Sequence, residues 1–113
     1  MMFDLNCFAS DYAAARTKFI AAANAAGATL RNYRNPHTGP AGEELWTDAA
    51  WLGPAQAPKI LVTISATHGV EGFCGSGSQV DFLDRRPALP EDVAVLAIHA
   101  LNPHGFAWLR RVT

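Results

Sequence analysis

The spacing of apolar residues divides the chain into helical and extended stretches. After Ser10-Asp11, which can cap a helix, Tyr12, Ala15, Phe19, Ala23 and Ala26 recur at helical spacing, with Arg16, Thr17, Lys18 and Asn24 off that stripe. Gly27 supplies the stop. The stripe is mostly alanine, so the helix is expected to lie close against its partner. Ala28 to Tyr33 reads as a strand ended by Asn35-Pro36 and the turn-rich His37-Thr38-Gly39-Pro40. Glu44 to Leu52 reads as a second, partly exposed strand.

Lys59 to Ser65 carries the strongest strand signal. Ile60, Val62 and Ile64 point one way, and Leu61 and Thr63 the other. Apolar residues on both faces predict a central strand covered on both sides. A helix is expected from Phe73 to Asp84, with Phe73, Gly77, Val80 and Leu83 inward and Pro87 and Pro90 ending it. Val93 to Ile98 is the second buried strand, and it leads into His99-Ala100-Leu101-Asn102-Pro103-His104-Gly105. Two strands joined by a helical crossover make a βαβ unit, so the class is α/β.

Composition narrows the function classes. Of 113 residues, half are hydrophobic and 17% charged, which are globular proportions. A net charge of −1 provides no basic surface for nucleic acid or an anionic membrane. No apolar run approaches the roughly 20 residues of a membrane span. Met1 to Asn6 show no secretory signal, and Cys7 and Cys74 have no CxxC spacing. These features lead us to expect a cytoplasmic protein.

The stretch Ser65-Ala66-Thr67-His68-Gly69-Val70-Glu71-Gly72 leaves the carboxyl end of the strongest strand, where open α/β sheets place their ligands. His68 and Glu71 form an HxxE pair. An imidazole nitrogen and a carboxylate oxygen three residues apart in a turn can grip one cation and suit Zn²⁺. The spacing alone is a short motif with a considerable chance rate, and a capping Glu beside an ordinary loop His is the competing reading.

The segment Ser65 to Phe73 resembles the zinc-binding stretch of a bacterial branch (DUF2817-like) of the zinc carboxypeptidase superfamily, similar to the succinylglutamate desuccinylase and aspartoacylase group. His99 to Arg111 resembles the NPxGF stretch that follows the next strand in that superfamily. The resemblance covers essentially the whole chain. It implies an α/β fold with a mixed, largely parallel sheet flanked by helices, with residues 1–113 as the N-terminal portion of one catalytic domain. It further implies Zn²⁺ as cofactor, with His68 and Glu71 as the first two ligands. One of Arg110 and Arg111 resembles the arginine that polarises the scissile carbonyl. The family's third ligand, carboxylate clamp and general-base glutamate match nothing here. The uncapped stretch Phe106 to Thr113 accordingly reads as a cut through a larger domain.

The function expected from this is zinc-dependent amide hydrolysis, of carboxypeptidase or N-acyl amino acid deacylase type. The expected substrate is a small molecule or peptide with a free carboxylate, with neither nucleic acid nor membrane as partner, and the piece alone is expected to be inactive. The alternative is a non-catalytic nucleotide- or ligand-binding module using Gly75-Ser76-Gly77-Ser78, although the third glycine of a GxGxxG is Val80. His99 reads as a core histidine or a partner of the metal site, His104 as a loop residue and His37 as a turn histidine. Cys74 reads as a small filler, and Asn102-Pro103 with Gly105 as turn chemistry. Trp46, Trp51 and Trp108 read as packing residues. The 59–65 and 93–98 strands are expected to pair in parallel and bring the two motif loops to one edge of the sheet.

Overall fold

A computed structural model describes residues 5–112. The absence of a leader, read in part from residues 1–4, and Thr113 of the uncapped stretch lie outside the described residues. After a short 3₁₀ turn, the chain runs as α1 (Tyr12–Ala25), β1 (Thr29–Thr38), β2 (Glu44–Leu52), β3 (Lys59–Ile64), α2 (Gly72–Arg85), β4 (Val93–His99) and α3 (Pro103–Ala107).

The start of α1 follows from local chemistry. Asp11 is extended and its carboxylate accepts from Ala14 N at 2.8 Å, satisfying one of the free amides of the first turn. Tyr12, Ala15, Phe19, Ala22 and Ala23 are buried, which is the alanine-rich stripe foreseen. Helix α2 ends at Arg86, in the left-handed conformation (φ 46°), before the prolines are reached. Strand β1 runs further than expected, through Asn35 and Pro36. It can do so because it is an edge strand whose register with β2 breaks between Arg34 and Thr38, so the proline interrupts no regular ladder.

The sheet is mixed, with strand order β1-β2-β4-β3. β3 and β4 pair in parallel from Lys59↔Val93 to Ile64↔Ile98, while β1–β2 and β2–β4 are antiparallel. The α/β class holds, with parallel pairing confined to β3–β4 among the described residues.

Helices α1 and α2 cover one face. Their Phe19, Ala22, Ala23, Val80 and Leu83 close over Ala50 and Ala97. A second cluster lies at the carboxyl end of β3 and β4, where Tyr12, Ala15, Leu45, Ala66, Ala100 and Phe106 pack together. Phe106 anchors α3 there, edge to face with both Tyr12 and Phe73. The cover expected on both sides of β3 is not present among the described residues: Leu61 is 53% and Ile64 51% exposed. Among the described residues β3 has one strand neighbour and lies at the end of the sheet. Apolar residues on both faces record a capacity for burial, and strand order decides whether it is used.

Beneath α1 the sheet holds a charged network. The carboxylate of Asp48, fully buried, takes two hydrogen bonds from Arg16 (2.8 and 3.0 Å) and one from Asn32 Nδ2 (2.6 Å). The Arg16 guanidinium also lies 5.0 Å from the centre of the Trp46 ring. Its bonds to Asp48 hold its pKa above the usual value.

Candidate functional site

Both parallel strands leave the sheet through an alanine in the left-handed conformation: Ala66 (φ 56°) after β3 and Ala100 (φ 59°) after β4. Such backbone costs about 1 kcal/mol in a residue with a Cβ. The surrounding bonds hold it. Ala100 N donates to Ser65 Oγ (3.0 Å), Leu101 N to Ser65 O (2.9 Å) and Asn102 N to Ala66 O (2.9 Å). The two loops are thereby tied at the carboxyl edge, as the parallel pairing predicts.

Downstream the contact becomes closer. Asn102 caps α3, its side-chain oxygen accepting from Gly105 N at 3.0 Å, with Pro103 in the first turn. The chain then turns back through Leu109 (φ 57°), and Gly69 N donates to Arg111 O at 3.3 Å. A Cβ on Gly69 would collide with the backbone of Gly105 and Arg110, so only glycine permits this approach.

Within that frame His68 is half-buried and Glu71 exposed; His68 immediately precedes, and Glu71 lies within, the turn Gly69–Gly72 closed by Gly72 N donating to Gly69 O at 2.9 Å. Glu71 stands at the N-cap of α2 but makes no side-chain capping bond. Its carboxylate instead faces Arg111, Oε1 to Nη1 3.5 Å. The capping alternative for Glu71 therefore has no support in the geometry. Arg110 and Arg111 are both exposed at the same edge, and only Arg111 is ion-paired to Glu71 among the described residues.

Among the described residues no three His, Cys, Asp or Glu side chains group closely enough to hold a metal ion. The His68 side chain makes no hydrogen bond among the described residues, and the Glu71 carboxylate is engaged in an exposed ion pair.

His99 is a core histidine. It is fully buried, stacked on Phe19 with centroids 4.5 Å apart, and shares a 2.7 Å hydrogen bond between Nε2 and Ser76 Oγ. Burial pushes its pKa down to about 4. The glycine-rich segment lies within the expected helix, not in the turn that the alternative ligand-binding reading needs. Gly75 to Ser78 lie inside α2, and Gly75 N donates to Glu71 O at 3.2 Å. A Cβ on Gly75 would press on Ser65, and one on Gly77 would collide with the Phe8 ring. These glycines serve close packing of the helix, and amides engaged within it cannot cradle a phosphate. Cys74 is exposed rather than a buried filler, because it lies on the outer side of α2. Sequence reasoning passed over Ser65, Ala66 and Ala100. A serine and two alanines at strand ends carry no signal for a left-handed bend.

The fold and this edge define a βαβ unit with its loops gathered at the carboxyl end of a parallel pair. Residues 8–113 match the family described as Protein of unknown function (DUF2817), and the chain belongs to that family. No curated protein matches the sequence. Two solved structures share the fold. Glutaminyl cyclase of Fimbriiglobus ruber superposes with a TM-score of 0.53 at 10% identity, covering 74% of this chain and 35% of that one. Glutaminyl cyclase of Porphyromonas gingivalis superposes with a TM-score of 0.51 at 11% identity, covering 83% of this chain and 45% of that one. The chain thus spans less than half the length of either. No helix among the described residues is long and apolar enough to cross a membrane.

Proposed function

We propose that this chain carries part of the active site of a zinc-dependent amide hydrolase related to the zinc carboxypeptidase superfamily and its desuccinylase-like branch. The observation that carries the reading is the pairing across the sheet edge. Glu71, three residues after His68 and free of any capping role, faces Arg111 from the loop after β4. His68 and Glu71 would hold the ion, with further ligands from elsewhere in the protein.

A zinc ion bound there would act as a Lewis acid, polarising an amide carbonyl and easing attack by water near neutral pH. The chain's own residues do the rest of what can be derived. Arg111, with Arg110 as the alternative, places a permanent positive charge beside the ligand pair, where it would steady negative charge developing on the carbonyl oxygen. Asn102 and Gly69 set the position of that arginine through the α3 cap and the close backbone approach.

Substrates of this chemistry would be small N-acylated amino acids or peptide ends with a free carboxylate, met in the cytoplasm. Residues 1–113 would then form the N-terminal portion of a single catalytic domain. Likeness to two enzymes at this fold level is compatible with the reading and supplies no substrate.

The test uses the full-length protein. Purified protein should contain zinc and hydrolyse N-acyl amino acids or short peptides, and both properties should fall together in His68→Ala and in Glu71→Gln. Wild-type protein that binds no zinc, or hydrolysis unaffected by both substitutions, would overturn the reading.

A further inference from the structure

Ala100 follows the last residue of β4, and hydroxyl side chains hold both polar groups of its backbone. Its N–H donates to Ser65 Oγ at 3.0 Å, and its carbonyl accepts from Thr47 Oγ1 at 2.7 Å. The two hydroxyls come from opposite sides of the sheet. Thr47 shares the open face with Ala49 and Trp51, whereas Ser65 packs against α2, where a Cβ on Gly75 would stand 3.0 Å from its own. Ser65 and Ala100 are buried, and Thr47 is half-buried.

A residue with a Cβ does not hold φ 59° by preference, and the bend takes its N–H and C=O out of the strand ladder. Buried backbone groups must still find partners, and here the partners also fix a direction. Asn102 caps α3 two residues later, and the chain returns through Leu109 until Arg111 faces Glu71 at 3.5 Å. Helix α3 is only five residues long and is pinned by the buried Phe106, so a change of exit angle at Ala100 carries through to Arg111. Ser65 belongs to the other half of the edge, three residues before His68. One hydroxyl therefore joins the ligand turn to the arginine segment.

We propose that Ser65 and Thr47 are positioning residues for the hydrolase site: their hydroxyls clamp the Ala100 backbone from both sides and thereby aim Arg111 at the His68–Glu71 turn. The role in catalysis rests on the hydrolase reading; the clamp itself is a property of the fold.

The test uses the full-length protein. Thr47→Val keeps the shape of the side chain and removes its hydroxyl. It should lower kcat by about tenfold with KM and bound zinc little changed, as for a group that acts through geometry in the transition state. Thr47→Ser, which keeps the hydroxyl, should restore the rate, and Ser65→Ala should act like Thr47→Val. In an Arg111→Ala background, Thr47→Val should lower kcat no further, because the clamp acts through that arginine. Hydrogen exchange supplies a readout independent of activity. The buried Gly69 N–H, bonded to Arg111 O, should exchange severalfold faster in Thr47→Val, while the amides of α1 keep their protection. Thr47 is only half-buried, so its variant remains informative even if Ser65→Ala disturbs folding. A parent protein without hydrolase activity would sink the hydrolase reading, and Gly69 exchange would still judge the clamp. Unchanged Gly69 exchange in Thr47→Val, or the same loss of kcat with and without Arg111, would overturn the proposal.

Discussion

Arg111 Nη1 stands 3.5 Å from Glu71 Oε1, so a residue beyond α3 reaches the turn that follows β3. Both side chains are largely exposed, at 70% and 64%. An ion pair of this kind adds little to stability, and its importance is positional. Arg111→Ala should therefore leave the thermal midpoint of the full-length protein nearly unchanged. If the arginine serves the transition state, kcat/KM should fall by about 100-fold, the effect of losing one oxyanion donor. Full activity in Arg111→Ala and Arg110→Ala alike would reduce both to surface charges.

Gly69 offers a structural test of the same edge. A methyl group there meets backbone atoms of Gly105 and Arg110, which cannot swing aside like a side chain. Gly69→Ala should destabilise the fold by about 2 kcal/mol, in the range of overpacked sites, by forcing the two loops apart. Urea denaturation reads the loss. A variant as stable as the parent would show that the loops are not in contact in solution.

His99 makes stability depend on pH. Burial, the largest cause, pushes its pKa to about 4 from an ordinary 6.5; Asp48 acts in the opposite sense and Arg16 in the same one. Between those values the unfolded chain takes up a proton that the folded chain refuses. Stability therefore rises with pH across this window and is lost as pH falls from 6.5 toward 4, by up to about 3 kcal/mol. His99→Gln retains a hydrogen-bonding group for Ser76 but cannot titrate. Its stability should change less between pH 7 and pH 4.5 than that of the parent. Parallel denaturation curves for the two proteins would argue against this role.

The Arg16–Asp48 pair differs from the exposed one because the carboxylate is completely buried. Removing the cation leaves a buried charge with Asn32 as its remaining side-chain donor. Arg16→Met should destabilise by about 3 kcal/mol, as expected when one partner of a buried pair is deleted. Restoring neutrality with Asp48→Asn in the Arg16→Met background should recover part of the loss. If the double variant is less stable than Arg16→Met alone, the cost does not arise from an unpaired charge.

Local sequence carried a good deal of this. The strand Glu44–Leu52 was read with its limits, and the Asp11 cap with the alanine stripe marked the start and inward face of α1. These features depend on neighbours within a few residues and on periods of 2 and 3.6, which a sequence displays directly. The position of His68 and Glu71 after a strand was legible for the same reason, and so was the common edge of the two loops, because parallel strands joined by one helix must end on the same side.

What the tertiary structure decided was which partner each residue meets. The β3 pattern could not tell a central strand from an edge strand, because apolar faces specify what a strand tolerates and the order β1-β2-β4-β3 arises from pairings distant along the chain. Gly75 and Gly77 sit in the helix the pattern predicts, but the close approach of Ser65 and Phe8 to them is a tertiary contact that no local signal displays. The contacts of Glu71 with Arg111, of His99 with Ser76 and of His37 with His104 span 40, 23 and 67 positions. No local period encodes such pairs; they arise where the packing of sheet and helices brings segments distant in sequence side by side.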